Sequence, residues 1–89
     1  MTPRVLRRRR PPAFVVLVTR VDCSLCAVAE PLVRRAADDA GLTLEVVDVD
    51  ADPALLSAYS DMVPVVLLDG APHAYWTVDE KVLRKALRG

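Results

Sequence analysis

Only two thiols occur in this 89-residue sequence, Cys23 and Cys26, and they stand three positions apart. Residues at i and i+3 of a helical turn lie about 5–6 Å apart, close enough for a disulfide to bridge them without moving the backbone. A scaffold held by several disulfides needs more cysteines than this, so the pair is there for chemistry or for a metal. At the start of a helix, unpaired N–H groups and a partial positive charge stabilise a thiolate, the form that attacks disulfides. Lowering a cysteine pKa from about 8.5 to about 7 raises its thiolate fraction near neutral pH from a few per cent to about half. Cys23, nearer the positive end of the helix, is the expected nucleophile, and Cys26, one turn further in, the resolving thiol. Arg20 is the candidate cation that would tune the thiolate. Asp22 opposes it unless its carboxylate turns away to cap the helix.

Two other readings of the pair stay open on residue types alone. Half of a zinc site would need further ligands, and beyond the cysteines the sole imidazole is His73, so such a site requires a dimer or carboxylates. A structural pair of buried thiols would put them at a helix start, which is an exposed place. Redox chemistry is therefore the leading reading, with no metal.

Positioning a helix-start cysteine pair requires a strand before it and a helix after it, and both are legible. Residues 14–18 form a continuous apolar run rich in valine, the pattern of a strand buried on both faces. From Ser24 to Ala40 apolar positions recur every three or four residues through Leu25, Val28 or Ala29, Leu32 and Ala36, and Gly41 supplies the stop. Pro31 falls inside this helix and should kink it. Leu42 to Val49 reads as a second strand, with Leu42, Leu44 and Val46 on one face, and a helical crossover between the two implies a right-handed parallel unit. Asp52-Pro53 marks the cap and first residue of a short helix to about Tyr59. Val65 to Leu68 is a third strand, ended by the turn signal Asp69-Gly70, and His73 to Trp76 a weaker antiparallel fourth. Thr77-Val78-Asp79-Glu80 has the form of a capping box opening a last helix with Val82, Leu83, Ala86 and Leu87 inward. The expected class is α/β, in the order β-α-β-α-β-β-α, with a mixed four-stranded sheet flanked by helices.

Composition bounds what this domain can be. Apolar residues make up 53% of the chain, enough for a real core. Twelve basic and twelve acidic side chains cancel, yet Arg4, Arg7, Arg8, Arg9 and Arg10 all lie in the first ten residues. Residues 1–12 therefore read as a basic, proline-rich leader expected to be disordered, and 13–89 as an acidic domain. An acidic domain is a poor nucleic-acid binder, which needs cations on its folded surface. The run Ala13 to Val18 is too short to span a bilayer. The arginines faintly suggest a twin-arginine export signal, but no long apolar region or small-residue cleavage site follows, so a cytoplasmic protein is expected. The absence of Ile, Asn and Gln, with ten Arg against two Lys, fits a GC-rich bacterial genome.

Taken together, Val15-Val16-Leu17-Val18, Cys23-Ser24-Leu25-Cys26 opening a helix, Pro31, the stretch from Val47 to Pro53, and Val63-Pro64 before a strand resemble the thioredoxin superfamily. The compact element order and the segment Trp76-Thr77-Val78-Asp79 resemble its small bacterial glutaredoxin-like members. The resemblance covers nearly all of residues 13–89. It implies that Pro64 is a cis proline set against the cysteine pair, and that Val63 offers backbone groups to a substrate strand, a form of β-augmentation. It implies a thiol-disulfide oxidoreductase of protein disulfides, acting as a monomer without nucleic acid or membrane. No cofactor is expected beyond the reversible Cys23–Cys26 disulfide, with electrons from a thioredoxin-reductase-like enzyme or from glutathione. The alternatives are a glutathione-dependent glutaredoxin and a non-catalytic binding module on the same scaffold. Ser24-Leu25 replaces the Pro-Tyr of typical glutaredoxins, and Tyr75 to Val78 stand where their Gly-Gly turn would fall, which weighs against glutathione.

The remaining polar residues have plainer readings. Asp48, Asp50 and Asp52 are expected to be a solvated, helix-capping run rather than a cation site. His73 is expected in an exposed loop; Trp76 packs over the last helix or shields the active-site edge, with core packing the default.

Overall fold

In a computed structural model, residues 10–89 are described; residues 1–9, and with them most of the arginine leader, lie outside the described residues. Pro12, the last residue assigned to that leader, is buried. The elements are β1 (Phe14–Thr19), α1 (Ser24–Asp39), β2 (Thr43–Asp48), a 3-10 turn at Val49–Ala51, α2 (Pro53–Tyr59), β3 (Val65–Leu68), β4 (Ala71–Tyr75) and α3 (Glu80–Arg88). They make a mixed α/β fold whose four-stranded sheet has the order β2-β1-β3-β4. β1 pairs in parallel with β2 and antiparallel with β3, and β3 pairs antiparallel with β4.

Strand β1 is apolar from Phe14 to Val18 because both faces of its centre are covered. Val15 and Leu17 join Val33, Ala36, Ala37, Leu83 and Leu87 in a core under α1 and α3. Val18, with Val16 beside it, faces a second core of Val49, Val65 and Leu67, onto which Leu55 and Tyr59 of α2 pack. Val15, Leu17 and Val18 have no exposure at all. Truncating Leu17 to alanine in such a packed setting costs about 2–5 kcal/mol.

The buried stripe of α1 differs by one position from the periodic reading. Cys26, Ala29, Val33, Ala36 and Ala37 are buried, whereas Leu25 and Val28 are exposed, and Ala40 lies beyond the helix as its C-cap. Several phases of small and large apolar residues fit this helix, and the one adopted turns Cys26 inward and leaves Leu25 outside. The helix runs through Pro31 and closes as a Schellman motif, with Gly41 at φ 72 and the N–H groups of Gly41 and Leu42 donating to Asp38 and Ala37.

The other end signals are used in part as read. Asp52 caps α2, its Oδ1 accepting from the N–H of Ala54 at 2.8 Å, with Pro53 in the first turn. Asp69 and Gly70 both take positive φ, 52 and 86, as a tight hairpin between β3 and β4 requires. Strand β4 starts earlier than expected and ends at Tyr75. Its pairing shifts between Val66 and Leu67, with partners Ala74 and Pro72, so His73 is the extra residue of a bulge and half-buried, not a free loop side chain. The cap of α3 is Asp79, whose Oδ1 accepts from Val82 N–H at 3.0 Å, and not Thr77. Thr77 is drawn into the preceding turn, its N–H donating to Tyr75 at 2.6 Å. Arg84 ties α3 to α1 through Asp39 at 2.8 Å and reaches back to Glu80 at 2.9 Å.

Register places four connections at one end of the sheet. Thr19 at the end of β1 lies opposite Asp48 at the end of β2, Val18 opposite Val65 at the start of β3, and Val65 opposite Tyr75 at the end of β4. The segments 20–23, 49–52, 60–64 and 76–79 therefore share that end, and Gly41 and the Asp69-Gly70 turn occupy the other.

Candidate redox site

Cys23 and Cys26 are joined by a disulfide, with their α-carbons 5.2 Å apart. The two sulfurs have different surroundings. Cys26 is 4% exposed on the inner face of α1, while Cys23 is half-buried at the mouth of the helix. Cys23 is itself the N-cap of α1, its Sγ accepting a hydrogen bond from the N–H of Cys26 at 3.1 Å. The position usually held by a Ser, Thr or Asp oxygen is thus held by a sulfur. When the disulfide opens, the same N–H group and the helix terminus favour negative charge on Cys23.

This arrangement also settles how Asp22 sits. It does not cap the helix; its backbone takes a positive φ of 62 in the tight turn after β1, and its side chain is at the surface. Arg20 is engaged elsewhere as well. Its Nε and a terminal nitrogen hold both oxygens of Asp50 at 3.1 and 3.2 Å, a fork that ties the loop after β1 to the 3-10 turn after β2. Its guanidinium is held more firmly protonated than usual, first through the hydrogen bond to Asp50. Its hydrogen bonds make it a loop clamp, at the edge of the cleft that Cys23 also lines. The aspartate run is a set of separate devices: Asp48 caps the 3-10 turn by accepting from Asp50 N–H at 2.8 Å, Asp50 pairs with Arg20, and Asp52 caps α2. An open cleft of about 440 Å³ lies along this end of α1, lined by Thr19, Arg20, Asp22, Cys23, Cys26 and Glu30.

On the next strand over, the Val63–Pro64 peptide is cis, Pro64 is buried, and Val63 packs on the second core. Neither backbone group of Val63 is hydrogen-bonded to another described residue, so both are free at the end of the sheet where Cys23 sits. Trp76 stands beyond it. Its backbone N–H donates to Met62 and Pro64 carbonyls at 3.0 and 2.9 Å, and its indole Nε1 to the Asp61 carbonyl at 2.9 Å. Far from packing in the core, Trp76 is 53% exposed. The default of core packing fails because an apolar pattern does not register a bulky residue at positive φ, here 64, while the alternative of shielding the active-site edge fits its exposure. Among the described residues, no group of three or more His, Cys, Asp or Glu is placed to hold a metal ion, and no helix is long and apolar enough to cross a membrane.

A mixed four-stranded sheet between helices, with a Cys-x-x-Cys disulfide opening the first helix, defines a protein of the thioredoxin superfamily. Within it, this chain belongs to the glutaredoxin-like domain family (DUF836), whose model matches residues 14–88. It is similar to an uncharacterized protein of Mycobacterium tuberculosis, 37% identical over 75 residues that cover 79% of this chain and 77% of that one. Among solved structures it resembles a structural-genomics target from X. campestris, 36% identical with a TM-score of 0.65, covering 82% of this chain and 93% of that one. It also resembles a thioredoxin variant from Halobacterium salinarum, 27% identical with a TM-score of 0.64, covering 86% and 73%. Fold and disulfide are consistent with redox function.

Proposed function

We propose that this chain is a cytoplasmic thiol-disulfide oxidoreductase that reduces disulfides in protein substrates. The observation that carries the reading is the asymmetry of the cysteine pair: a half-buried Cys23 whose sulfur accepts a helix-end N–H, joined to a Cys26 that is 4% exposed. Accessible thiolate character suits attack, and a buried partner one turn inside suits intramolecular release. In the reduced protein, the Cys23 thiolate attacks one sulfur of a substrate disulfide. That S–S bond breaks, a Cys23–substrate disulfide forms, and one substrate thiolate leaves and takes up a proton. Cys26, losing its proton, then attacks the Cys23 sulfur, the second substrate thiolate departs, and the Cys23–Cys26 disulfide forms. Two electrons have passed to the substrate, and an external dithiol or thiol reductant returns the pair to its reduced state. Val63, with its backbone groups free beside buried Pro64, supplies a strand-like edge for the substrate backbone.

Insulin-disulfide reduction tests this with two reductant systems, NADPH with thioredoxin reductase and glutathione with glutathione reductase. Wild-type protein turns over with the first system, Cys23→Ser has no activity, and Cys26→Ser accumulates a mixed disulfide visible by mass. Faster recycling by glutathione would move the assignment to a glutathione-dependent glutaredoxin. Equal turnover by Cys23→Ser would sink it, and no turnover in either system would leave a binding module.

A further inference from the structure

We infer that the Trp76 indole is a specificity-determining wall of the substrate site, one that favours disulfides flanked by a large apolar residue; the inference rests on the redox reading above. Four observations converge on this residue. Large aromatic side chains are normally buried, yet Trp76 is 53% exposed. It holds a left-handed backbone, φ 64, that is costly for a bulky side chain. Hydrogen bonds to Asp61, Met62 and Pro64 fix both its backbone and its ring to the residues on either side of Val63, and Tyr75 leans on it with ring centroids 6.1 Å apart. A rigid exposed ring loses little conformational entropy when something packs on it, which is the character of a recognition anchor.

Its location decides what packs there. Adjacent strands lie about 4.8 Å apart, so the end of β4 is about 10 Å from the end of β1. An extended substrate segment that pairs with Val63, between the two, directs a side chain next to its cysteine toward the indole. Charge selects the same occupant. This end of the domain carries Asp22, Asp48, Asp61 and Asp79, while the nearby Arg20 is already paired with Asp50. An acidic flank, or the two carboxylates of glutathione, therefore meets repulsion where an aromatic or aliphatic flank meets the ring.

Two short peptide disulfides that differ only in Phe or Asp beside the attacked cysteine test the inference. Wild-type protein should show a KM about tenfold lower for the Phe peptide, a typical yield of one well-packed apolar contact. Trp76→Gly suits the positive φ and so folds. In it kcat/KM for the Phe peptide falls about tenfold, mainly through KM, and the preference between peptides disappears. Trp76→Phe restores most of it. Because Trp76 is the chain's single tryptophan, the mixed disulfide of Cys26→Ser with the Phe peptide should also shift its emission to the blue. An undiminished preference in Trp76→Gly, or an emission unchanged by the bound Phe peptide, overturns the inference alone. Failure of wild-type protein to reduce either peptide overturns the redox reading and this inference with it.

Discussion

The two ends of the sheet solve the same problem with different residues. At the end away from the cysteines, the chain reverses through Gly41 at φ 72 and through Asp69-Gly70 at φ 52 and 86. These are residue types that take the left-handed region at little cost. At the cysteine end, the left-handed positions are held by Asp22 at φ 62, again a type that takes this region at little cost, and by Trp76 at φ 64, which is not. Glycine would relax the second, and a tryptophan stands there instead. The far end uses only residue types suited to the turn, whereas the near end keeps a bulky indole at a position where the backbone alone would ask for glycine. Such strain is held in place by neighbouring structure and collects where a protein works.

Substitutions at matched dihedrals sharpen that contrast. The largest stability change falls at the far end. Nothing lies within 4 Å of an added β-carbon at Gly41 or Gly70, so alanine there loses about 1–2 kcal/mol from backbone strain alone, read as a lower chemical-denaturation midpoint with redox turnover intact. At Trp76 the same preference for glycine holds at a position the sequence does not give to glycine. Trp76→Gly should be more stable than Trp76→Ala by about 1 kcal/mol, although both remove the same ring, because only alanine retains the strain. If the alanine variant were the more stable, Trp76 would not carry the backbone strain described.

A third comparison concerns charge at the near end. Since Arg20 and Asp50 neutralise each other, Asp50→Ala frees the guanidinium and moves the pH midpoint of Cys23 alkylation by iodoacetamide down, whereas Arg20→Ala leaves the carboxylate uncompensated and moves it up. Midpoints unmoved in both variants would show that the pair does not act on the sulfur. The smallest effect belongs to His73, in the bulge of β4. Burial lowers its pKa from the ordinary 6.5, so the unfolded chain takes up the proton first as pH falls. Stability is thus unaffected by His73 above pH 6.5 and declines as pH drops from there toward its folded value. Replacing it with glutamine should flatten that decline in thermal melts at pH 5 to 7, a window set by the ordinary histidine pKa of about 6.5.

Much of this was readable from local signals. The valine run of β1, the cap at Asp52-Pro53, the stop at Gly41 and the turn at Asp69-Gly70 each depend on a few adjacent residues whose chemistry permits little else. The cysteine pair was equally plain in spacing and placement. What escaped depends on contacts between distant segments. The phase of α1 is chosen by packing against β1, and the bulge at His73 by the register of β3 with β4. The cap of α3 moved to Asp79 because Trp76 bends the chain first, and Arg20 found its partner thirty positions away at Asp50.

The carboxylate of Asp69 does more than shape a turn. Its Oδ1 accepts from the N–H groups of Ala13 and Phe14 at 2.8 and 3.2 Å, pinning the entry of β1 to the hairpin. Helix α3 runs back to the same place, where Gly89 meets Pro11. Both ends of the described chain thus emerge on the side opposite Cys23. A purification tag, a fusion partner or a sensor chip joined at Gly89 therefore leaves the redox face turned to solution.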